Sequence, residues 1–312
     1  MNKKLNKIIK TALLLFISGI MLTQCTKKDA VPEPVDFIDV KLAADGDFTL
    51  LRAALAQAKL ETFTKGPGPF TLLAPTNAAL NAVGVTSATL PTIDSLTLTA
   101  FLLNHFQNIK RTSFEFPDGP NAPMASMAGF SNYASKNKTL NKIYINGASV
   151  TTADINCGNG IMHKIDKALI QPSANLGTLL ANNANYTLMV QAIAKAGLTA
   201  TFTSTTPITL FALDNATMTA NGYDATTIPL LTAPQVLVLS NILKYHIIPG
   251  RNFTIAMKTG ALKTNFGTNV TVGLGTIVTV KGISNAAPFN ITSSDLLASN
   301  GVLHEINGML KP

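Results

Sequence analysis

Tryptophan is absent from this 312-residue chain, only two cysteines occur, and charged residues make up 13% of it. Each scarcity excludes something. With no tryptophan and five tyrosines, an aromatic platform that stacks on sugar rings is disfavoured, while glycan contact through polar loops stays open. Cys25 and Cys157 permit at most one disulfide and supply no ligand-spaced thiolates for a zinc site. From Ser173 onward the only acidic residues are Asp214, Asp224, Asp295 and Glu305, so nothing nominates a carboxylate pair for glycosidic chemistry. A nucleophile elbow, a zinc-protease helix motif and a phosphate-cradling glycine loop are also missing. No catalytic residue, no cofactor and no metal site is therefore expected.

What is present begins with charge. The formal net charge is +8, but Lys3, Lys4, Lys7 and Lys10 account for half of it. The remainder holds no Lys/Arg cluster interleaved with aromatics, which sets nucleic acid aside as a partner. The basic stretch Met1 to Lys10 is followed by an apolar run, Thr11 to Leu22, and then by Thr23-Gln24-Cys25. That run falls short of the roughly 20 residues a spanning helix needs, so residues 1–24 read as an export signal. A cysteine directly after such a run, with Leu22 three positions before it, resembles the lipobox of bacterial lipoproteins, although Gln24 stands where a small residue is usual. The resemblance implies that Cys25 becomes the first mature residue and meets the membrane through an attached lipid. Residues 25–36, with Pro32 and Pro34, then form a stiff tether.

The chain repeats itself. Pro69–Leu80 (PFTLLAPTNAAL) matches Pro207–Met218 (PITLFALDNATM), and Asn159–Asp166 (NGIMHKID) matches Asn300–Asn307 (NGVLHEIN). The four histidines pair at one offset, His105 with His246 and His163 with His304. Two copies, 37–172 and 173–312, are the economical account. Within each, a helical spacing comes first: Phe48, Leu51, Leu55, Ala58, and Tyr186, Met189, Ile193, Ala196. A short apolar strand follows, Phe70 to Ala74 or Ile208 to Ala212, after which Thr76 and Asp214 stand ready to cap a helix. Alternating runs such as Lys142 to Ile145 and Asn269 to Val280 favour strands. Each copy closes on an Asn-Gly turn, Asn159-Gly160 or Asn300-Gly301, into a strand whose inward face is expected to carry Ile161, His163 and Ile165, or Val302, His304 and Ile306.

These residues resemble the fasciclin domain family, over nearly the whole mature chain and twice. TLLAPTNAAL is similar to the family's first motif, Thr76 and Asn77 included. NGIMHKIDKALIQP and NGVLHEINGMLKP are similar to its closing motif, with Asp166 in the first and Asn307 at that place in the second. ILKYHIIPGR, Ile242 to Arg251, is similar to its central Tyr-His segment, whereas copy one has Asn104 before His105. The resemblance implies an α+β fold of two tandem fasciclin-type domains, each a wedge-shaped β-sandwich with helices packed on one side. It implies adhesion through a protein or glycan partner, and it makes Tyr245 and His246 candidate partner-binding residues. The alternative reading is an accessory lipoprotein of an outer-membrane glycan-uptake complex. Either way the expected place is the outer membrane, at the cell surface rather than on its periplasmic face.

On their own chemistry, His163 and His304 alternate with apolar neighbours and read as buried hydrogen-bonding residues. His105 and His246 end apolar helical runs and are placed to bond last-turn carbonyls. Cys157, whose counterpart in copy two is Ala298, reads as a small buried filler rather than a reactive thiol.

Overall fold

A computed structural model describes residues 36–137, 142–172 and 174–312; the export signal, Cys25 and the tether up to residue 35 lie outside these residues. Copy one opens with α1 (Ile38–Ala44), α2 (Thr49–Gln57) and α3 (Glu61–Lys65), enters β1 (Phe70–Pro75), and passes through α4 (Asn77–Ala82) and α5 (Ser95–Leu103) to β2 (Phe106–Gln107). A meander completes it: β3 (Gly119–Ala125), β4 (Ser131–Asn137), β5 (Lys142–Ile145), β6 (Ala148–Cys157) and β7 (Gly160–Ile165). Copy two repeats the order with α6 (Leu176–Ala181), α7 (Thr187–Lys195), α8 (Thr199–Thr203), β8 (Ile208–Ala212), α9 (Asn215–Ala220), α10 (Thr227–Leu230), α11 (Ala233–Tyr245) and β9 (Ile247–Pro249). It closes with β10 (Gly260–Lys263), β11 (Asn269–Gly273), β12 (Thr279–Lys281), β13 (Phe289–Ala298) and β14 (Gly301–Ile306).

Local chemistry explains the boundaries. Leu51, Ala54 and Leu55 recur at helical spacing and are the buried face of α2. Both expected caps form: the Thr76 hydroxyl accepts from the Ala79 amide at 3.2 Å, and the Asp214 carboxylate accepts from Thr217 at 2.7 Å. One residue on, Asn77 Oδ1 accepts from the Leu50 amide at 2.9 Å and Asn215 Oδ1 from Leu188 at 2.9 Å, which ties the start of α4 to α2 and of α9 to α7. The alternating run Asn269 to Val280 holds two strands, β11 and β12, paired antiparallel with Gly273 opposite Thr279.

Each copy has one seven-stranded sheet, ordered β2-β1-β7-β6-β5-β4-β3 and β9-β8-β14-β13-β12-β11-β10. The first long strand and the last pair in parallel, β1 with β7 and β8 with β14, as the second and third strands from one edge, and every other pair is antiparallel. A parallel pair inside a sheet is covered on both sides, so the closing strand has no solvent face. Met162 packs with the helices while Ile165 packs on the opposite side, and Ile161 and His163 are buried as well. The alternation expected for this strand is thus apolar on both faces, with Lys164 as the partly exposed exception.

The two sides hold two cores in copy one. Leu42, Leu55, Leu80 and Leu102 of the helices meet Phe70, Leu72 and Ala74 of β1. On the other side, Leu73 of β1 and Ile165 of β7 share a cluster with Met124 of β3, Ala134 of β4 and Ile145 of β5. Residues from opposite ends of one sheet meet there only because the sheet curls over on itself, so the sandwich layers belong to a single sheet.

The Asn-Gly turn fixes where the last strand begins. A Cβ on Gly160 would lie 2.1 Å from the Phe70 carbonyl oxygen, and one on Gly301 would lie 2.0 Å from that of Ile208. Asn159 Oδ1 accepts from the Ile38 amide at 3.0 Å, and its Nδ2 donates to Thr64 and Gly66 carbonyls at 3.0 and 2.9 Å. Asn300 repeats all three bonds, to Leu176, Phe202 and Ser204. One side chain per copy thereby joins the first helix, the loop before the first strand and the last turn. Gly301→Ala is expected to force the backbones of β8 and β14 apart and to lower the stability of copy two by about 3 kcal/mol, read from chemical denaturation. An unchanged midpoint would show that the close approach is not required.

Candidate functional site

The sequence-nominated side chains converge on two hydrogen-bonded hubs in each copy. Around the first, β6 slips register against β7 twice, between Val150 and Thr152 and between Thr152 and Ile155. The second slip leaves Asp154 out of the ladder at φ 58°, a left-handed conformation that aspartate tolerates better than most residues. Its freed amide donates to His163 Nδ1 at 3.2 Å, which puts the ring proton on Nε2, and Nε2 donates to the Arg111 carbonyl at 2.8 Å. The Asp154 carboxylate then accepts from the Ser113 amide at 2.7 Å and from the Ser113 hydroxyl. Copy two builds the same hub. The Asp295 amide, at φ 65°, donates to His304 Nδ1 at 3.1 Å; Nε2 donates to the Asn252 carbonyl at 2.8 Å; and the carboxylate accepts from the Thr254 amide and hydroxyl at 2.7 and 2.6 Å.

The second hub uses the opposite tautomer. His105 Nδ1 donates to the Phe101 carbonyl one helical turn back at 2.9 Å, and its Nε2 accepts from the Leu169 amide at 2.9 Å. His246 does the same with Ile242 at 2.8 Å and Leu310 at 3.0 Å. The helix end is thereby fastened to the segment that leaves the last strand. Asp166 accepts from the Ser149 amide at 2.6 Å, and Asn307 from Asn290 at 2.8 Å. Only the carbonyl-type oxygen is needed, so the Asp-to-Asn difference between copies keeps the bond.

Burial disfavours the imidazolium in all four rings and lowers their pKa, down to about 4 for His105 and His246. Burial also pushes the Cys157 thiol up to about 11, away from the thiolate a nucleophile needs. Among the described residues no group of three or more His, Cys, Asp or Glu could hold a metal ion.

Tyr245 and His246, the candidate partner-binding pair, are both fully buried. The Tyr245 hydroxyl donates to the Asn269 carbonyl at 2.6 Å and accepts from the Ile283 amide at 3.0 Å. A partner cannot touch either side chain without opening the core, which corrects the expectation of direct contact. Cys25 lies outside the described residues.

Sequence reasoning missed what the hubs hold at the surface. Ser113–Glu115 and Thr254–Ala256 are matching 3₁₀ turns pinned by Asp154 and Asp295, and their middle residues are apolar and exposed, Phe114 at 86% and Ile255 at 43%. A second matched pair lies nine residues before each helix-ending histidine: Leu96 is 81% exposed on α5 and Leu237 62% exposed on α11. Both pairs were discoverable by laying one repeat over the other and asking which apolar residues the strand and helix periods leave outside.

Tandem α+β units of this build, with histidines serving as internal staples, define a repeat protein. The chain belongs to the fasciclin domain family, whose model matches residues 46–171 and 184–312. It is similar to transforming growth factor-beta-induced protein ig-h3 of Sus scrofa, 29% identical over 268 residues, which is 81% of this chain and 36% of that protein. The ig-h3 of Oryctolagus cuniculus is 28% identical over the same share of each chain. The chain thus spans about a third of the length of these relatives. Protein sll1483 of Synechocystis sp. is 36% identical over 137 residues, 43% of this chain and 73% of that protein. Among solved structures, a FAS1 domain pair from the insect cell adhesion molecule fasciclin I matches 88% of this chain and 95% of that chain, at 16% identity and a TM-score of 0.42.

The four buried rings make stability depend on pH. His105 and His246 stay neutral in the folded chain down to about pH 4, whereas the same imidazoles take up a proton near 6.5 when unfolded. Between those values the unfolded chain binds more protons, so stability is complete above 6.5 and falls as the pH drops towards 4, by about 3 kcal/mol for each of the two rings. Thermal unfolding followed across this window should show that slope. His246→Gln should start lower at neutral pH and fall less steeply; a slope equal to wild type would remove His246 from the account.

Proposed function

We propose that the chain is exported, anchored in the outer membrane through a lipid on Cys25, and displays its two fasciclin domains at the cell surface as a non-catalytic, adhesion-type module for a protein or glycan partner. The observation that carries this reading is the division of labour between the copies' matched residues. The histidines, asparagines and aspartates that could do chemistry are spent on internal bonds, while Leu96, Leu237, Phe114 and Ile255 stand in solvent at corresponding positions. Apolar residues held out on anchored turns and helices suit association, since burying them against a partner is favourable and costs little ordering. The Tyr-His segment serves this surface indirectly, because it fixes the end of α11, on which Leu237 sits. Anchoring rests on Cys25 and the apolar run before it. Among the described residues no helix is long and apolar enough to cross a membrane.

Intact cells expressing the protein, treated with protease and stained with an antibody to copy two, should be cleaved and labelled from outside, and Cys25→Ala should release the domains from the membrane fraction. Protection until the outer membrane is broken would overturn surface display. A Leu96→Ser, Leu237→Ser variant should reach the surface normally yet lower cell-to-cell adhesion; adhesion at the wild-type level would remove the helix face from the binding surface.

A further inference from the structure

The two repeats offer the same surface in two states. In copy one, the face built by Lys110, Thr112 and the Asp154 hub is open, and Asp154 is exposed. In copy two, the corresponding face carries Arg251, Phe253 and Asp295, and it is covered by copy one. The Asp295 side chain is only 5% exposed, and Phe253 is fully buried.

What covers it is specific. The Arg251 guanidinium carbon stands 4.5 Å from the centroid of the Tyr133 ring of copy one, and its Nη2 donates to the Ser299 carbonyl at 2.6 Å. Asn121 of copy one donates through Nδ2 to the Arg251 carbonyl. Phe253 lies 6.5 Å from the same Tyr133 ring, centroid to centroid. The Asp295 carboxylate sits against Gly147, the tip of the β5–β6 hairpin, where a Cβ would come within 3.0 Å of it, and Lys167 Nζ approaches it at 3.9 Å. A planar guanidinium can lie flat on a ring while its in-plane N–H groups donate to a carbonyl, a geometry the ammonium of lysine does not have. Copy one has Lys110 at the corresponding place, and that ammonium reaches Asn156 Oδ1 of its own domain at 2.9 Å. Thr112 likewise stands where copy two has Phe253. Of the residues that differ between the two faces, Arg251 and Phe253 are the ones set against Tyr133.

We propose that Arg251, Phe253 and Tyr133 form a clasp that joins the two domains into one rigid body, so that a partner meets both domains in a single fixed placement. The clasp is head to tail: copy two uses its hub face, copy one its hairpin face. Copy one's own hub face, lacking the arginine and the phenylalanine, stays open.

The test uses the full-length chain with Cys25→Ala, followed by NMR relaxation of backbone amides assigned to each domain. In the wild-type background both domains should report one rotational correlation time, that of a body with the mass of the whole. Arg251→Ala and, separately, Tyr133→Ser should each lower it in both domains towards that of a single domain while leaving amide shifts remote from the interface in place. Lys110→Ala, at the matching site of copy one, should leave it unchanged. The two substitutions lie in different domains, so a folding defect in one leaves the other to report. Separate correlation times in the wild-type background, or no change in both variants, would overturn the clasp.

Discussion

A strand that passes from one layer of a curled sheet into the other must break its ladder at the corner, and the amide released there has to find an acceptor. In β6 and β13 that amide belongs to Asp154 and Asp295, and the acceptor is Nδ1 of a histidine on the neighbouring strand. Much of each domain depends on this bond. It fixes the tautomer, the tautomer sends Nε2 to the carbonyl of Arg111 or Asn252, and that carbonyl belongs to the segment leaving the edge strand. The same aspartate, turned by its left-handed backbone, then holds the following 3₁₀ turn through Ser113 or Thr254. Replacing the ring by an apolar residue would leave two buried backbone groups unpaired at once, so the histidine is kept for its two opposed nitrogens and not for its charge.

Much of this was legible in the sequence, and for physical reasons. Helix caps and the Asn-Gly turn are local: Thr76 and Asp214 bond within three residues, and Gly160 answers to a carbonyl its own strand pairing brings close. The histidines were readable because their apolar neighbours announced burial. Long-range pairing was not. Nothing in the Phe70–Pro75 run says that it pairs in parallel with Gly160–Ile165, so the two-sided burial of the closing strand went unseen. The burial of Tyr245 and His246 was hidden for the same reason, since it is made by the segments around Ile283 and Leu310, remote along the chain. The bulges are invisible to a reading by period two, because one extra residue shifts the alternation without changing composition.

The differences between the copies show that each domain's contacts are tuned as sets. Lys164 in copy one reaches Asp45 and Asp47 at 2.7 and 2.9 Å and lies 5.0 Å from the Phe48 ring centroid. Those hydrogen bonds hold the Lys164 pKa up and draw that of Asp45 down. Copy two has Glu305 at the matching position, and it accepts from the Tyr186 hydroxyl at 2.6 Å, with Asn183 and Asn185 where the aspartates stood. The charge has changed sign and three other positions have changed with it. Moving one residue alone between copies would set like charges together in one domain or strand a hydroxyl in the other.

Asn104, which stands where copy two has Tyr245, belongs to a longer set of this kind. Its Nδ2 donates to the Leu169 carbonyl at 3.0 Å, its backbone carbonyl accepts from Asn132 at 2.9 Å, and Asn132 Oδ1 accepts from Asn146 at 2.7 Å. Asn146 Oδ1 in turn accepts from the Tyr133 amide at 2.7 Å. The polar chain therefore runs from the buried end of α5 to β4, which carries Tyr133, and to the β5–β6 turn, which carries Gly147, two of the residues set against copy two. Asn104 Oδ1 is buried without a partner, a cost of about 1–3 kcal/mol in copy one. Tyrosine in copy two incurs no such cost, since its hydroxyl both donates and accepts. Asn132 bonds the backbone carbonyl at this position, which a tyrosine would also supply, so the departure from the family's tyrosine costs copy one an unpaired Oδ1 and nothing in the structure explains what it gains.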